Sequence, residues 1–298
     1  VGLPPVLTKR PLTLGDANAV FELIAAQQAD DIGEVVIDEA DIVSDWQRPS
    51  HDLAESTVGV FHGNRLVGYA ELSGADRGDA AVAPAYRGRG IGTFLAHWLQ
   101  DRARGRGSTV VGTPVPQGSH GDRFLEGLGY RVRWTSWVLA LPDDRVIEEG
   151  DLPSGYSIRA AAEEDYRAIW EVVEDAFLEW SDRQRQSYED FAAQVMQRPG
   201  FEPWHLRVVT DGKGVVVGAA SLVTSDYVGF VEKLAVHRDH RHQGLGQALL
   251  ADVFSEARAH GATRSELSTD SRTGALDLYE KVGMEVTSVW VNRAIDLS

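Results

Sequence analysis

The chain contains no cysteine. Disulfides, thiolate metal sites and a covalent acyl-cysteine intermediate are therefore excluded, and any group this protein transfers is expected to pass directly from donor to acceptor. No run of 18 consecutive apolar residues occurs, and the opening VGLPPVLTKRPL lacks the apolar core of a signal peptide. The expectation is a soluble, cytoplasmic protein with no membrane partner. Basic residues are also scarce, 29 Lys and Arg against 45 Asp and Glu, for a formal net charge of -16. That field repels nucleic acid and suits small cationic acceptors. What the chain does have is length: 298 residues are enough for two domains, each with its own core.

One stretch organises the rest. In Val231 to Leu250, VEKLAVHRDHRHQGLGQALL, a strand runs into a turn rich in glycine and basic residues and then into a helix. Val228, Phe230, Leu234 and Val236 alternate as in a strand; Leu245, Leu249, Val253 and Ala257, with Leu250 and Phe254 beside them, recur at helical spacing. A helix beginning at Gly244 leaves its first N–H groups without carbonyl partners and carries partial positive charge there. Glycines at 244 and 246 keep side chains off those amides, and Arg241 and His242 add donors, so the expected ligand is a pyrophosphate. A phosphate-loop NTPase needs Lys-Ser or Lys-Thr after the second glycine, where this chain has Gln247 and Ala248. A dinucleotide fingerprint, suggested by Gly88, Gly90 and Gly92, is a weak motif alone, and a tight turn without a ligand is the plain alternative.

The order of elements repeats. Val6 to Leu12 predicts a strand, Gly15 to Gln28 and Asp38 to Trp46 helices, Thr57 to Phe61 and Arg65 to Leu72 a hairpin, and Gly78 to Val82 a strand leading to PAYRGRGIG. Acidic PDDRVIEEGDLPSG, residues 142–155, reads as a linker between a domain at 1–141 and a domain at 156–298, where the same order recurs. Arg87 and Arg241, like Gly129 and Gly283, lie 154 residues apart. A constant spacing across a whole block points to a two-unit repeat of one mixed α/β domain.

Arg241-x-x-Gly244-x-Gly246, the preceding Leu234-Ala-Val236 and Ala275-Leu-Asp-Leu-Tyr-Glu-Lys-Val-Gly-Met284, echoed by Arg87, Gly90, Gly92 and Phe124-Leu-Glu-Gly-Leu-Gly-Tyr130, make the chain resemble the GNAT superfamily of N-acetyltransferases. The form is a tandem one, similar to that of mycothiol synthase. The resemblance implies an α/β (α+β) fold of two tandem GNAT-like domains, each a mixed, mostly antiparallel sheet flanked by helices with a splayed acyl-CoA-binding strand. It also implies acetyl-CoA (coenzyme A) as cofactor. Leu234, Ala235 and Val236 would meet the pantetheine arm, and Arg241, His242, Gln243, Gly244, Leu245, Gly246 and Gln247 the pyrophosphate. Val82, Arg87, Gly88, Arg89, Gly90, Gly92 and Thr93 are their counterparts in the first copy. An Asn that the family often carries before the last helix is replaced by Ser271 and Arg272.

Two residues are expected to carry the chemistry. An ammonium of pKa about 10.4 must lose a proton before it attacks a thioester. Glu232, by alternation on the apolar face of Phe230 and Leu234, is placed to act as base with a raised pKa; an ion pair is the alternative role. Tyr279 matches the family phenol that donates to the departing sulfur; helix packing is its alternative. The 154-residue offset maps them to Gly78 and Leu125, so the first domain is expected to be catalytically degenerate. Glu179, Trp180 and Asp182 stand where the resemblance implies an acceptor pocket and are candidates to hold a cationic amine; the ordinary acidic end of an amphipathic helix is the alternative. His237, His240 and His242 match no usual zinc spacing, and no metal is expected. The expected function is acetyl transfer to a primary amine of a small molecule, by a monomer or homodimer. The alternatives are a non-catalytic acyl-CoA-binding or sensory module and a mycothiol-synthase-like acetyltransferase acting on a glucosamine-inositol-cysteine amine.

Overall fold

The computed structural model describes residues 2–147 and 152–297, so part of the expected linker, 148–151, lies outside the described residues. Two compact units form: residues 1–135 with 289–298, and residues 136–288. They do not divide at the linker as the sequence predicts. The repeat itself is present. Helix α4 (Ile91–Gly105) and helix α8 (Leu245–Ala259) begin and end 154 residues apart, as do strands β5 (Val110–Pro116) and β11 (Arg264–Asp270).

The first unit builds its sheet from β1 (Leu7–Arg10), β2 (Thr57–His62), β3 (Arg65–Ser73), β4 (Arg77–Val82) and β5, in that order. Its last strand is the distal part of β12 (Glu285–Asp296), with Trp290 opposite Pro116 and Asp296 opposite Val110. The second unit runs β7 (Ser157–Ala160), β8 (Leu206–Thr210), β9 (Val216–Ser225), β10 (Val228–Val236) and β11. It ends on the distal part of β6 (Arg131–Leu141), with Ser136 opposite Asp270 and Leu141 opposite Ser265. Each half of the sequence thus lends its final strand to the other half's sheet. Both strands are long and alternate alike, so nothing in their pattern tells which copy they join.

Within each sheet neighbours are antiparallel except β4 with β5 and β10 with β11, which are parallel. Apolar stripes of the helices cover the faces. In the first unit α1 (Ala17–Ile32) and α4 bury Val20, Leu23, Ile91, Leu95 and Leu99 over β3 and β4. In the second, α8 buries Leu245, Leu249, Val253 and Phe254 over one face, and α6 (Tyr166–Leu178) packs Ile169, Val172 and Val173 against Val208, Ala219 and Ala235 on the other. Two further helices, α2 (Glu39–Trp46) and α7 (Tyr188–Gln194), follow α1 and α6 respectively, and the single-turn α3 (Leu53–Ser56) leads into β2. The short helices α5 (His120–Gly127) and α9 (Leu276–Lys281) precede the exchanged strands.

The exchange has a direct consequence for truncation. Residues 1–141 expressed alone would lack the strand that pairs with β5, leaving an open edge and exposing Val115, Leu125 and Tyr130, which pack with Val291. Such a fragment is expected to aggregate or to show a non-cooperative thermal transition by circular dichroism, whereas the intact chain unfolds cooperatively.

Candidate active site

β10 and its neighbours form a fork. Pairing with β11 stops at Val231, opposite Leu267, while pairing with β9 continues to Val236, opposite Gly218. From residue 232 onward the strand has a neighbour on one side only, so the backbone on its other edge faces the opening of the fork. Unit one forks in the same way: β4 pairs with β5 at Arg77 and Gly112 alone, but with β3 as far as Val82.

A register shift falls at the branching point. Val231 lies opposite Leu222 and Lys233 opposite Ser221, so Glu232 is the extra residue of a β-bulge. This corrects the alternation expected from sequence. The bulge moves Leu234 to the face of Val231, in the cluster under α8, and turns Ala235 towards α6. Glu232 therefore does not share an apolar face with Phe230 and Leu234. Its side chain is 37% exposed, and its Oε2 lies 3.2 Å from Lys233 Nζ.

Beyond the fork the chain turns into α8. His242 takes a left-handed φ of 61°, where the first unit has Gly88 at 73°, and Gly244 caps the helix at φ 81°. No side chain caps that helix, and its first bond runs from Ala248 N to Gly244 O. The amides of Leu245, Gly246 and Gln247 therefore lack helical partners and present the positive end of the dipole. A Cβ placed on Gly246 would meet only Val236 Cγ2, at 3.9 Å. The Leu245 side chain is buried, so its contribution to this turn is its backbone. Among the turn histidines, His240 Nδ1 lies 2.8 Å from Tyr156 Oη, and His237 Nδ1 accepts from Asp239 N.

Arg241 and Glu179, assigned to separate roles by the sequence, meet each other. The guanidinium Nη1 and Nη2 donate to the carboxylate at 2.7 and 2.9 Å, and Nε donates to Val236 O at 2.9 Å. The bidentate bond holds the Glu179 carboxyl below the usual range. Arg241 thus ties the turn to the end of α6, and Glu179 is committed to it. Trp180 likewise already faces a cation, Arg272, whose Cζ is 5.2 Å from the ring centre. Arg272 itself bonds Asp270 at 3.1 and 2.6 Å. Asp182 is exposed in the connection after α6. That connection is fixed by a buried residue the sequence did not single out: Glu174 accepts from Arg183 Nη1 and Nη2, both at 2.7 Å, and from Gln186 N at 2.8 Å.

Tyr279 sits on α9 and packs against the cluster under α8 with Leu276 and Val282. Burial pushes its phenol up to about 12, so it keeps its proton throughout the physiological range.

The corresponding features of the first unit are occupied by the protein itself. Val82 N donates to Gln27 Oε1 at 2.8 Å. Arg87 Nη1 donates to Asp30 at 2.5 Å and Nη2 lies 3.2 Å from Asp31, while His120 Nδ1 is 3.1 Å from both Arg87 and Asp31. Asp30, Asp31 and His120 have the spacing of a metal site, but the guanidinium already supplies the cation. Arg89 lies over Tyr86 and donates to Ala85 O. Gly88 and Gly90 hold their left-handed turns, and Thr93 O is bonded by His97. Over Gly92 lies Phe124, whose ring atoms would be 3.2 and 3.3 Å from a Cβ there. The residue 154 positions on, Leu278, is 50% exposed and does not come within 4 Å of Gly246 in that way. Phe124 in place of Leu278 was the one sequence sign of this difference.

Known proteins share this architecture. The model of the acetyltransferase (GNAT) family matches twice, over residues 20–130 and 160–284. A mycothiol acetyltransferase of Salinispora arenicola is 30% identical over 266 residues, 83% of this chain and 82% of that protein. Another, from Nocardia farcinica, is 30% identical over 290 residues, 90% of each. Among solved structures, a GCN5-related N-acetyltransferase from Sphaerobacter thermophilus superposes with a TM-score of 0.76 at 27% identity, covering 99% of this chain and 97% of that one. A tandem GNAT protein of the clavulanic acid biosynthesis pathway gives 0.74 at 20% identity, covering 98% and 99%, and so shares the fold. With two matched regions, one in each copy of the repeat, the chain belongs to the GNAT acetyltransferase family in its tandem form.

Proposed function

We propose that the protein transfers an acetyl group from acetyl-CoA directly to a primary amine of a small molecule, and that the unit of residues 136–288 does so while the other is catalytically degenerate. The carrying observation is the coincidence of bulge and fork. The extra residue inserted where β10 parts from β11 is Glu232, the one carboxylate on the strand edge that lines the opening. The uncapped amides of Leu245 to Gln247, with open space over Gly246, suit a pyrophosphate. In the first unit the equivalent amide and glycine are taken by Gln27 and Phe124. One equivalent of acetyl-CoA per chain is the expected stoichiometry.

In the proposed reaction the amine lone pair attacks the thioester carbonyl carbon, and a backbone N–H of the fork polarises its oxygen. Glu232 accepts the proton released from nitrogen, directly or through one water. As the C–S bond breaks, Tyr279 donates a hydrogen bond to sulfur. Arg241 and Glu179 position the turn and its helix. The relatives named mycothiol acetyltransferase favour a second reading, in which the acceptor amine is the one those proteins use.

Following thiol release from acetyl-CoA across a panel of primary amines tests the proposal. Release that depends on the amine and yields the N-acetyl product is expected. Tight binding of acetyl-CoA with no amine-dependent release would instead identify a ligand-binding module.

A further inference from the structure

Two consecutive residues reach both arms of the fork in the second unit. Glu179 caps the C-terminal end of α6 and accepts from Arg241, in the turn that follows β10. Trp180, the next residue, lies against Arg272, which follows β11 and donates to Asp270, the last residue of that strand. β10 and β11 part at Val231 and Leu267. The start of the α6–α7 connection therefore spans the gap between them.

The two ends of this connection are held differently. At the far end Glu174, only 2% exposed, accepts from Arg183 and from Gln186 N, and Gln186 O accepts from Trp170 Nε1 at 3.0 Å. That end is fixed to α6. At the near end the side chains of Arg241 and Glu179 are 33% and 41% exposed. An ion pair so open to water is worth about fivefold in an equilibrium, so the released form stays accessible.

The first unit carries the same tie in a closed form. Ala17 and Tyr166, where α1 and α6 begin, are 149 residues apart, the same distance as Asp30 and Glu179. Arg87, the turn arginine of the first copy, binds Asp30 and also Asp31, whose side chain is 3% exposed and has His120 as a further partner. In both units a carboxylate stands at the C-terminal end of a helix, where the dipole disfavours it, and the turn arginine offsets that cost. Only in the second unit is the tie open to water.

We propose that the start of the α6–α7 connection is a latch across the fork that acetyl-CoA sets, with Glu179 as the positioning residue. The proposal rests on the reading that the turn binds acetyl-CoA. Pyrophosphate on the amides of the turn fixes the turn, fixes Arg241 within it, and so holds Glu179 and Trp180 in place. An amine then meets a closed connection only when the acyl donor is bound. By linkage, the latch strengthens acetyl-CoA binding by the same factor by which acetyl-CoA strengthens the latch.

Hydrogen exchange read by mass spectrometry on the full-length protein, with and without acetyl-CoA, tests the assignment. In the wild type acetyl-CoA is expected to slow exchange over residues 179–186 by about 2–5-fold, the worth of an exposed pair. Glu179→Gln should bind acetyl-CoA about 2–5-fold more weakly, and at saturation its exchange over 179–186 should no longer respond to the ligand. Trp180→Ala removes the contact with Arg272 alone, so exchange should rise there yet still respond. A merely structural role for Glu179 would raise exchange in both states and leave the response intact. That result, or a wild type that binds acetyl-CoA with no change over 179–186, would overturn the proposal. A wild type that does not bind acetyl-CoA at all would overturn the reading beneath it as well.

Discussion

Glu232→Gln is expected to lower kcat by about 10²–10³-fold at pH 7, the range for removing a general base, with acetyl-CoA affinity unchanged. The reasoning starts from the amine. With a pKa of about 10.4, only about one molecule in 2,500 is neutral at pH 7, and attack releases a further proton that must go somewhere. Glu232 stands on the bulge at the mouth of the fork, more than a third exposed and in contact with Lys233, so water reaches it and a proton taken there passes on to solvent. Gln keeps the shape and the exposed position, and stability should change by no more than about 0.5 kcal/mol. The distinguishing readout is pH. If Glu232 moves a proton, the deficit shrinks as the pH rises towards 10 and solution supplies the neutral amine. If its contact with Lys233 only shapes the bulge, the deficit is the same at every pH.

Tyr279→Phe is expected to lower kcat by about 10²-fold, again without loss of acetyl-CoA binding. Burial that pushes the phenol to about 12 has a chemical consequence. An ordinary thiol has a pKa near 8.5, so complete transfer of the phenol proton to the leaving thiolate would be uphill by about 3.5 units, or about 5 kcal/mol. Tyr279 therefore stabilises charge on sulfur by donating a hydrogen bond, and solvent completes the protonation. Two results follow. The wild-type rate should show no limb from Tyr279 between pH 7 and 10. The deficit in Tyr279→Phe should contract with acetyl thioesters of more acidic thiols, which need less help to leave. The same raised pKa makes a stability statement: the contribution of the neutral phenol is complete below pH 10 and is lost as the pH rises through about 12.

Arg241 illustrates what the sequence conveyed and what it did not. Its place three residues before Gly244 was legible, because a helix N-terminus needs small residues for an anion to approach and the pattern repeats 154 residues earlier. Its partner was not, because Glu179 lies 62 residues away and only the fold brings the end of α6 to the turn. Arg241→Glu would set a carboxylate against Glu179 and release Val236 O, so loss of acetyl-CoA affinity in that variant reports a displaced turn. The bulge at Glu232 was hidden for another reason: alternation assumes an unbroken register, and one inserted residue reverses every face beyond it. Strand exchange was hidden because β6 and β12 have interchangeable partners in β5 and β11. Local periodicity and the repeat fixed the elements, and long-range pairing made the sites.

The account rests on the bare amides at the start of α8 being the acetyl-CoA site. Calorimetric titration of acetyl-CoA into wild type, Gly246→Glu and Arg89→Glu measures this directly. A Cβ at Gly246 has room, so the glutamate variant should fold while its charge and bulk occupy the anion's place. The wild type should bind one equivalent, Gly246→Glu should lose at least about 100-fold in affinity, as expected where a like charge displaces a bound anion, and Arg89→Glu should bind as the wild type does. Undiminished binding by Gly246→Glu, or binding abolished by Arg89→Glu, would contradict the account.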